Sequence, residues 1–329
     1  MKSSYSNFFR CHRGAIMGLS ILSVMVFHYG IQMPLLHTIS LYGWIGVDMF
    51  IFLSAIGLCY SLEKNPCITD YYKRRALRIL PTWWTYMVVV VIVSALTSLP
   101  HPSTISQIFL YFTGLGYWVS GYYNDFDNAH QVYFNEWFIP TSLVFYLIFP
   151  LLQKMNKKVT VVITVAVLFV TNILLVLGFS HSIDLSYPRL LSFLIGIATY
   201  KFLLTETDRR TAALFKSIFI ALPIVTFFLY RYSSFVSFRI FVSVSMPLMF
   251  YILGRIIDWT KSVKPLSFLG SISLELYLVH LYLKLPSFSI GNLYIDGDWL
   301  LIPFIAVNIL AAWCFHVSIR YTLTFIKRY

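Results

Sequence analysis

Long apolar runs, separated by short polar segments, dominate this chain of 329 residues. A helix that crosses the hydrocarbon core of a bilayer needs about 17–25 mostly apolar residues. Runs of that length occupy residues 14–33, 43–62, 82–99, 104–120, 137–153, 159–178, 188–204, 211–230, 236–254, 268–286 and 299–319. The composition agrees, with 58% hydrophobic residues, 12% charged residues and a mean hydropathy of +0.74. The pattern predicts an all-α integral membrane protein in which residues 1–329 form one membrane domain.

The first run resembles the apolar part of a signal peptide, because Lys2, Arg10 and Arg13 precede it. Residues 14–33 nevertheless have the length of a membrane span and show no cleavage site of small residues. We therefore expect this segment to be a retained first helix.

The placement of Lys and Arg distinguishes ten spans from eleven, since cytoplasmic loops collect these residues. If residues 104–120 do not cross, nearly all basic residues are cytoplasmic, and those outside are Arg189, Arg231, Arg239 and Lys284. If they do cross, the basic residues divide almost equally between the two sides. We therefore predict about ten transmembrane helices in a single bundle, with both termini cytoplasmic and residues 100–136 external. Topology then explains the formal net charge of +12, and no nucleic-acid partner is expected.

The external segment 100–136 is rich in aromatic residues and contains carboxylates but no Lys or Arg. One interpretation is an aromatic belt at the membrane interface. The other is a carbohydrate site, in which aromatic faces and carboxylates contact the sugar. Glu136, followed by Trp137, closes this segment, and Arg189 lies at the outer end of a later helix.

Ionisable residues inside apolar helices are costly to bury and therefore indicate function. His28, in "MGLSILSVMVFHYG", lies five residues before the predicted outer end of the first helix, and Asp48 lies five residues into the second. Two antiparallel neighbours would bring these side chains to the same depth. There a carboxylate can fix the tautomer of an imidazole that acts as a general base. A structural hydrogen bond between adjacent helices is the alternative.

Two further sets of residues are expected to be structural. Glu275 and His280 lie five residues apart in "SISLELYLVH" and so occupy different faces of the ninth helix, where we expect packing or hydrogen bonding. The four cysteines form no C-x-x-C pair, so neither a zinc site nor a redox role is indicated for Cys11, Cys59, Cys67 and Cys314.

A basic cluster lies in "DYYKRRALRILPTWW" on the predicted cytoplasmic side and comprises Lys73, Arg74, Arg75 and Arg78. Topology and anionic lipid headgroups explain one or two such charges. A cluster this dense, beside aromatic side chains, also suits the phosphates of a nucleotide ligand. The stretch contains neither a P-loop nor a dinucleotide-binding glycine motif, so side chains would have to hold the phosphates. Pro81 is expected to begin the third helix.

Taken in order, these segments resemble the membrane-bound acyltransferase 3 family of bacterial proteins. The matching segments are "MGLSILSVMVFH", "GWIGVDMFIFLSAIGL", "YYKRRALRILPTWW", "EWFIPTSLVFYLIFPLL", "RLLSFLIGI" and "SISLELYLVHLYL". They extend over most of the chain. Two positions depart from the family pattern. Met17 replaces an arginine eleven residues before the histidine, with Arg13 one turn away on the same face, and Ser54-Ala55 replaces a Ser-Gly pair.

The resemblance implies an O-acyltransferase of the bacterial inner membrane. Such an enzyme moves an acyl group, usually acetyl, from cytoplasmic acyl-CoA to a hydroxyl of an envelope or exported carbohydrate. His28, oriented by Asp48, would deprotonate the acceptor, and a transient acyl-histidine is also compatible with the residues. The site residues would be His28 and Asp48 for catalysis, Lys73, Arg74, Arg75 and Arg78 for acyl-CoA, and Glu136, Trp137 and Arg189 for the acceptor.

The expected partners are acyl-CoA, the acceptor and membrane lipid, with no metal and no bound cofactor. Two alternatives remain open. A transporter or flippase of an envelope lipid or glycan would use the same buried polar residues to line a pathway. An inactive family member retained for assembly with partners would account for Met17.

Overall fold

The fold is almost entirely helical, which confirms the predicted all-α membrane class. Within the described part of the chain, seven helices are long and apolar enough to cross a membrane, and the apolar helix Phe138–Lys154 is shorter. The predicted total of ten spans stays a prediction. The computed structural model describes residues 4–96, 104–116, 118, 137–178, 185–205, 208–281, 288–290, 293–295 and 297–326.

Helices follow one another along the chain, and in the described residues one β-hairpin precedes the last helix. In the hairpin, β1 (Phe288–Ile290) pairs antiparallel with β2 (Leu293–Ile295). The helices are α1 (Ser4–Tyr29), α2 (Pro34–Ser40), α3 (Ile45–Lys64), α4 (Ile68–Leu96), α5 (Ile105–Thr113), α6 (Phe138–Lys154), α7 (Lys157–Val176), α8 (Arg189–Thr199), α9 (Arg209–Tyr232), α10 (Phe238–Thr260), α11 (Val263–Ser271), α12 (Ser273–Val279) and α13 (Leu301–Ile326). A π-helical turn, Tyr200–Leu204, extends α8, and a 3₁₀ turn, Gly297–Leu300, precedes α13.

Two helices differ from the apolar runs that predicted them. The predicted span 268–286 is interrupted at Ile272, between α11 and α12, in a stretch of glycine and serine that favours helix weakly. The basic cluster lies within α4, which begins at Ile68. The prediction that Pro81 begins this helix was therefore wrong, and Pro81 lies inside it.

The segment 104–120 contains the short helix α5, which has nine residues. At 1.5 Å per residue such a helix is about 13 Å long, whereas the hydrocarbon core is about 30 Å thick. The indole nitrogens of Trp83 and Trp84 on α4 both donate to the carbonyl of Phe112, at 3.0 and 3.1 Å, and thereby attach α5 to α4. By itself α5 is too short to span the membrane, and the prediction that the whole segment 104–120 does not span stays a prediction.

We expect a membrane-impermeant maleimide to label Ser234→Cys in intact cells and to label Lys154→Cys only after permeabilisation. Lys154 ends α6 at a loop that the predicted topology places in the cytoplasm, and Ser234 lies between α9 and α10 on the predicted outer side. Both positions are exposed. The variants are made in a chain without native cysteines, and a permeant maleimide serves as the control. External labelling of Lys154→Cys would contradict the predicted topology.

The chain divides into two compact units. The first comprises Met1–Leu53 and Leu248–Tyr329, and the second comprises Ser54–Pro247. The boundaries fall within α3 and α10.

In the first unit, α1 contacts α11 at the level of the backbone. A Cβ atom placed on Gly18 would lie 1.9 Å from the carbonyl oxygen of Leu266, and one on Gly270 would lie 2.0 Å from that of Gly14. Only glycine permits so close an approach, and the spacing of Gly14 and Gly18 is the G-x-x-x-G spacing of packed membrane helices. In the same unit, Gly43 and Gly46 also pack against α1.

In the second unit, some backbone carbonyl groups of α6 have no amide donor within the helix. Side chains of other helices donate hydrogen bonds to these carbonyl groups instead. Pro150 has no N–H to donate to the carbonyl of Tyr146, and the hydroxyl of Tyr71 on α4 donates to it instead, at 3.0 Å. At the end of α6, Nζ of Lys201 donates to the carbonyls of Leu152 and Met155, at 3.1 and 2.6 Å. A buried lysine therefore caps the helix, where cations are favoured.

Candidate functional site

His28 lies in the last turn of α1, and its ring contacts a second histidine. The Nδ1 atom of His28 is 3.0 Å from Nε2 of His280, the residue that follows α12. The His280 side chain is fully buried, whereas His28 is partly exposed. Gly30, with a φ of +78°, follows the end of α1. A positive charge on His28 would therefore lie at a helix C-terminus, where the helix dipole stabilises cations.

The glycine contact between α1 and α11 accounts for this pairing. Gly18 faces Gly270, and His28 contacts His280. Each histidine lies ten residues after the glycine of its own segment. The equal offset shows that the two segments run parallel. Backbone contact at one end thus fixes the level at which the two imidazoles meet at the other.

His280 makes a second hydrogen bond on its other ring nitrogen. Its Nδ1 atom is 3.0 Å from the carbonyl oxygen of Leu276, which can only accept. The neighbouring acid Glu275 faces elsewhere, with Oε1 at 2.8 Å from Nδ1 of His316 on α13. Both residues make side-chain hydrogen bonds, as predicted, and a purely structural role for them stays a prediction. What the sequence did not indicate is that the partner of His280 is His28.

Asp48 is buried in the first turn of α3, at 4% exposure. A Cβ atom on Gly43 would lie 2.1 Å from the carbonyl oxygen of Ser23, and one on Gly46 would lie 2.4 Å from that of Ser20. These contacts make α3 antiparallel to α1 and place Asp48 more than one helical turn, about 5.4 Å, below the level of His28 along α1. The prediction that the two residues lie at the same depth was wrong, and a catalytic role for Asp48 stays a prediction.

The basic cluster of the second unit divides between two sides of α4. At about 100° per residue, Arg74, Arg75 and Arg78 share one face, and Lys73 lies about 160° from Arg75. Nη2 of Arg75 is 3.3 Å from the hydroxyl of Ser61. Lys73 is exposed, whereas Arg75 is partly buried. We call Arg74, Arg75 and Arg78 the arginine face.

Arg189 and Trp137, two of the predicted acceptor residues, contact each other in the second unit. The guanidinium carbon of Arg189 lies 4.7 Å from the centroid of the Trp137 ring, and Arg189 is only 2% exposed. Next to them, the hydroxyls of Thr141 and Ser186 are 2.7 Å apart, and Nε1 of Trp118 donates to Ser186 Oγ at 3.1 Å. We call these five residues the indole–arginine cluster. Glu136, the third predicted acceptor residue, lies outside the described residues.

The acyltransferase 3 family model, described as an acyltransferase domain, matches residues 16–317, nearly the whole chain. The chain belongs to the acyltransferase 3 family. No curated protein and no solved structure gives a significant match.

Membership of the acyltransferase 3 family, together with the apolar helices, makes this chain a multi-pass membrane acyltransferase. The matched range contains both histidines of the pair, the arginine face and the indole–arginine cluster. An acyl transfer to a hydroxyl needs a group that accepts the hydroxyl proton, and imidazole is the side chain best suited to this near neutral pH.

Proposed function

We propose that this acyltransferase moves an acyl group, with acetyl as the first candidate, from cytoplasmic acyl-CoA to a hydroxyl of an envelope or exported carbohydrate. We propose the bacterial inner membrane as its location. The observation that carries the proposal is the His28–His280 pair, at 3.0 Å, within the residues that match the acyltransferase family.

In this proposal His28 is the general base. Its imidazole takes the proton from the acceptor hydroxyl, and the oxygen attacks the carbonyl carbon of the thioester. The C–S bond breaks, and the CoA thiolate takes the proton, so that an ester and free CoA leave. A two-step route through an acyl-histidine is the variant of the same chemistry. The buried carboxylate of Asp48 would stabilise the positively charged imidazolium of His28 electrostatically. It would not orient the ring.

The arginine face is proposed to bind the phosphates of acyl-CoA. Guanidinium groups form paired, charge-assisted hydrogen bonds with phosphate oxygens. Arg74 and Arg75 are held by Asn65 and Ser61 at the end of α3, at 3.4 and 3.3 Å, which limits their motion before the ligand binds. Because Lys73 lies on another side of α4, the geometry favours the three arginines over the lysine as ligands of the phosphates.

The indole–arginine cluster is proposed to bind the acceptor. Indole faces, hydroxyls and a guanidinium together offer stacking surfaces and hydrogen-bond donors, which suit a sugar that carries hydroxyl or acidic groups. Trp137 and Arg189 are the residues of this cluster that we propose contact the acceptor directly. Glu136 remains the third predicted acceptor residue.

The decisive experiment incubates the purified protein with radiolabelled acetyl-CoA and a bacterial envelope polysaccharide. Transfer of label to the polysaccharide by the wild-type protein, and none by His28→Ala, is the expected result. Reconstituted vesicles distinguish the transporter alternative, because a flippase moves a labelled lipid-linked glycan between leaflets without acylating it. Absence of acyl transfer from every acyl-CoA offered, with glycan movement intact, would overturn the proposal.

Replacing Arg75 and Arg78 together with glutamine should weaken acyl-CoA binding and leave the thermal unfolding midpoint nearly unchanged. Each lost charge-assisted hydrogen bond is worth about 1–3 kcal/mol, so we expect at least a tenfold rise in Kd. Lys73→Gln is the matched control, since it removes one charge from the same helix but not from the arginine face. Titration calorimetry in detergent measures Kd. An unchanged Kd in the double variant would assign the cluster to membrane topology.

A further inference from the structure

The hydrogen bonds around His280 determine which nitrogen of each ring carries the proton. The carbonyl oxygen of Leu276 only accepts, so Nδ1 of His280 must donate to it, at 3.0 Å. A neutral imidazole carries one N–H, and Nε2 of His280 is therefore an acceptor. The proton between the two rings then belongs to Nδ1 of His28, which donates to His280 at 3.0 Å. The lone pair of neutral His28 consequently lies on Nε2.

We propose that His280 is the positioning residue of His28. It holds His28 in the tautomer that is protonated on Nδ1, and it thereby directs Nε2 as the atom that accepts the proton of the acceptor hydroxyl. In triads of this kind the orienting group is usually a carboxylate, and its replacement by a group that favours the wrong tautomer costs much of the rate. Here a neutral imidazole, fixed by a backbone carbonyl, takes that position. This inference rests on the proposed function.

The surroundings of His280 suit such a role. The side chain has no exposed surface, and the backbone N–H of His280 also donates to the carbonyl of Leu276, at 3.1 Å. The carbonyl of Leu276 thus accepts one hydrogen bond from the ring of His280 and one from its backbone. A buried carboxylate in the same place would carry a desolvation penalty that a neutral imidazole avoids.

The kinetic test compares His280→Leu with His280→Gln. Leucine fills the site but accepts no hydrogen bond, so kcat should fall by about 10² to 10⁴ while KM for acyl-CoA and acceptor stay within twofold. The side-chain oxygen of glutamine reaches the position of Nε2 and can accept from His28, so most of kcat should return. A structural role alone predicts a loss of folded protein in both variants and a normal kcat per folded molecule. That result would overturn the proposal.

A spectroscopic test does not depend on activity. The wild-type protein, labelled with ¹⁵N at histidine, should show Nδ1 of His28 as a protonated ring nitrogen and Nε2 as an unprotonated one at pH 7.5. The resonances are assigned by their loss in His28→Ala. In His280→Leu the His28 signals should move towards a mixture of tautomers. A His28 that is protonated on Nε2 in the wild-type protein, or unchanged in His280→Leu, would overturn the inference.

The two tests separate this inference from the proposed function. If the wild-type protein transfers no acyl group, the proposed function fails, and the ¹⁵N spectra still decide whether His280 sets the tautomer. If the wild-type protein is active, His28→Ala is inactive and His280→Leu has a normal kcat, only the positioning role of His280 fails.

Discussion

Replacing His28 with alanine should lower kcat for acyl transfer by about 10² to 10⁴, which is the usual contribution of a positioned acid or base. Acyl-CoA binding should stay near normal, because the proposed phosphate contacts are made by the arginine face and not by His28. Stability should fall only moderately. The variant leaves Nε2 of the buried His280 without the hydrogen bond from His28, which costs about 1–3 kcal/mol.

The measurement is the transfer rate per folded molecule, taken together with the thermal unfolding midpoint. His37→Ala is the matched control. This histidine lies on α2 and is exposed, and its Nδ1 atom lies 2.7 Å from the carbonyl oxygen of Ile31. We expect it to keep normal turnover. A stable His28→Ala variant with undiminished turnover would exclude His28 as the base.

The positions of the helices could be predicted because the thickness of a bilayer fixes the length of an apolar run. Bilayer thickness does not determine the length of a helix that extends beyond the membrane into water. The apolar run that starts at residue 82 is preceded in α4 by fourteen residues from Ile68 onward, and these carry the basic cluster. Hydropathy therefore located the membrane part of α4 and misplaced its beginning, with Pro81 interpreted as a start signal.

The error in the depth of Asp48 has a different cause. Counting residues from two predicted helix ends assumes that the ends lie level. In the structure α1 ends at Tyr29, the short helix α2 intervenes, and the contacts of Gly43 and Gly46 with α1 set the register instead. Such a register depends on backbone contact between helices, which apolar run lengths do not encode.

The partner of His280 could not be read from its own segment, since His28 lies 252 residues away along the chain. One signal was present in the sequence. Gly14 and Gly18 have the spacing of a close helix contact, and Gly270 lies ten residues before His280, just as Gly18 lies ten residues before His28. Comparing the positions of small residues in distant helices therefore indicates how those helices align. Hydropathy alone does not give this alignment.

Replacing Gly18 with alanine should be strongly destabilising. The new methyl group would lie 1.9 Å from the carbonyl oxygen of Leu266 and 3.1 Å from the amide nitrogen of Gly270, so α1 and α11 must separate to admit it. Forcing extra atoms into a packed contact costs about 1–3 kcal/mol, occasionally more, and we expect a value near the upper end because backbone atoms cannot rotate away. The measurement is the fall in thermal unfolding midpoint in detergent.

The matched control is Gly14→Ala, on the same face of the same helix. A Cβ atom there would meet the side-chain oxygen of Ser267 at 3.3 Å, and a serine hydroxyl can turn aside. Alanine also favours helix over glycine by about 1 kcal/mol, so Gly14→Ala should be near neutral. Because the contact at Gly18 fixes the level at which His28 meets His280, the Gly18→Ala protein that still folds should also lose turnover. Equal midpoints for the two variants would show that α1 and α11 do not meet at Gly18, and would remove the register that brings the two histidines together.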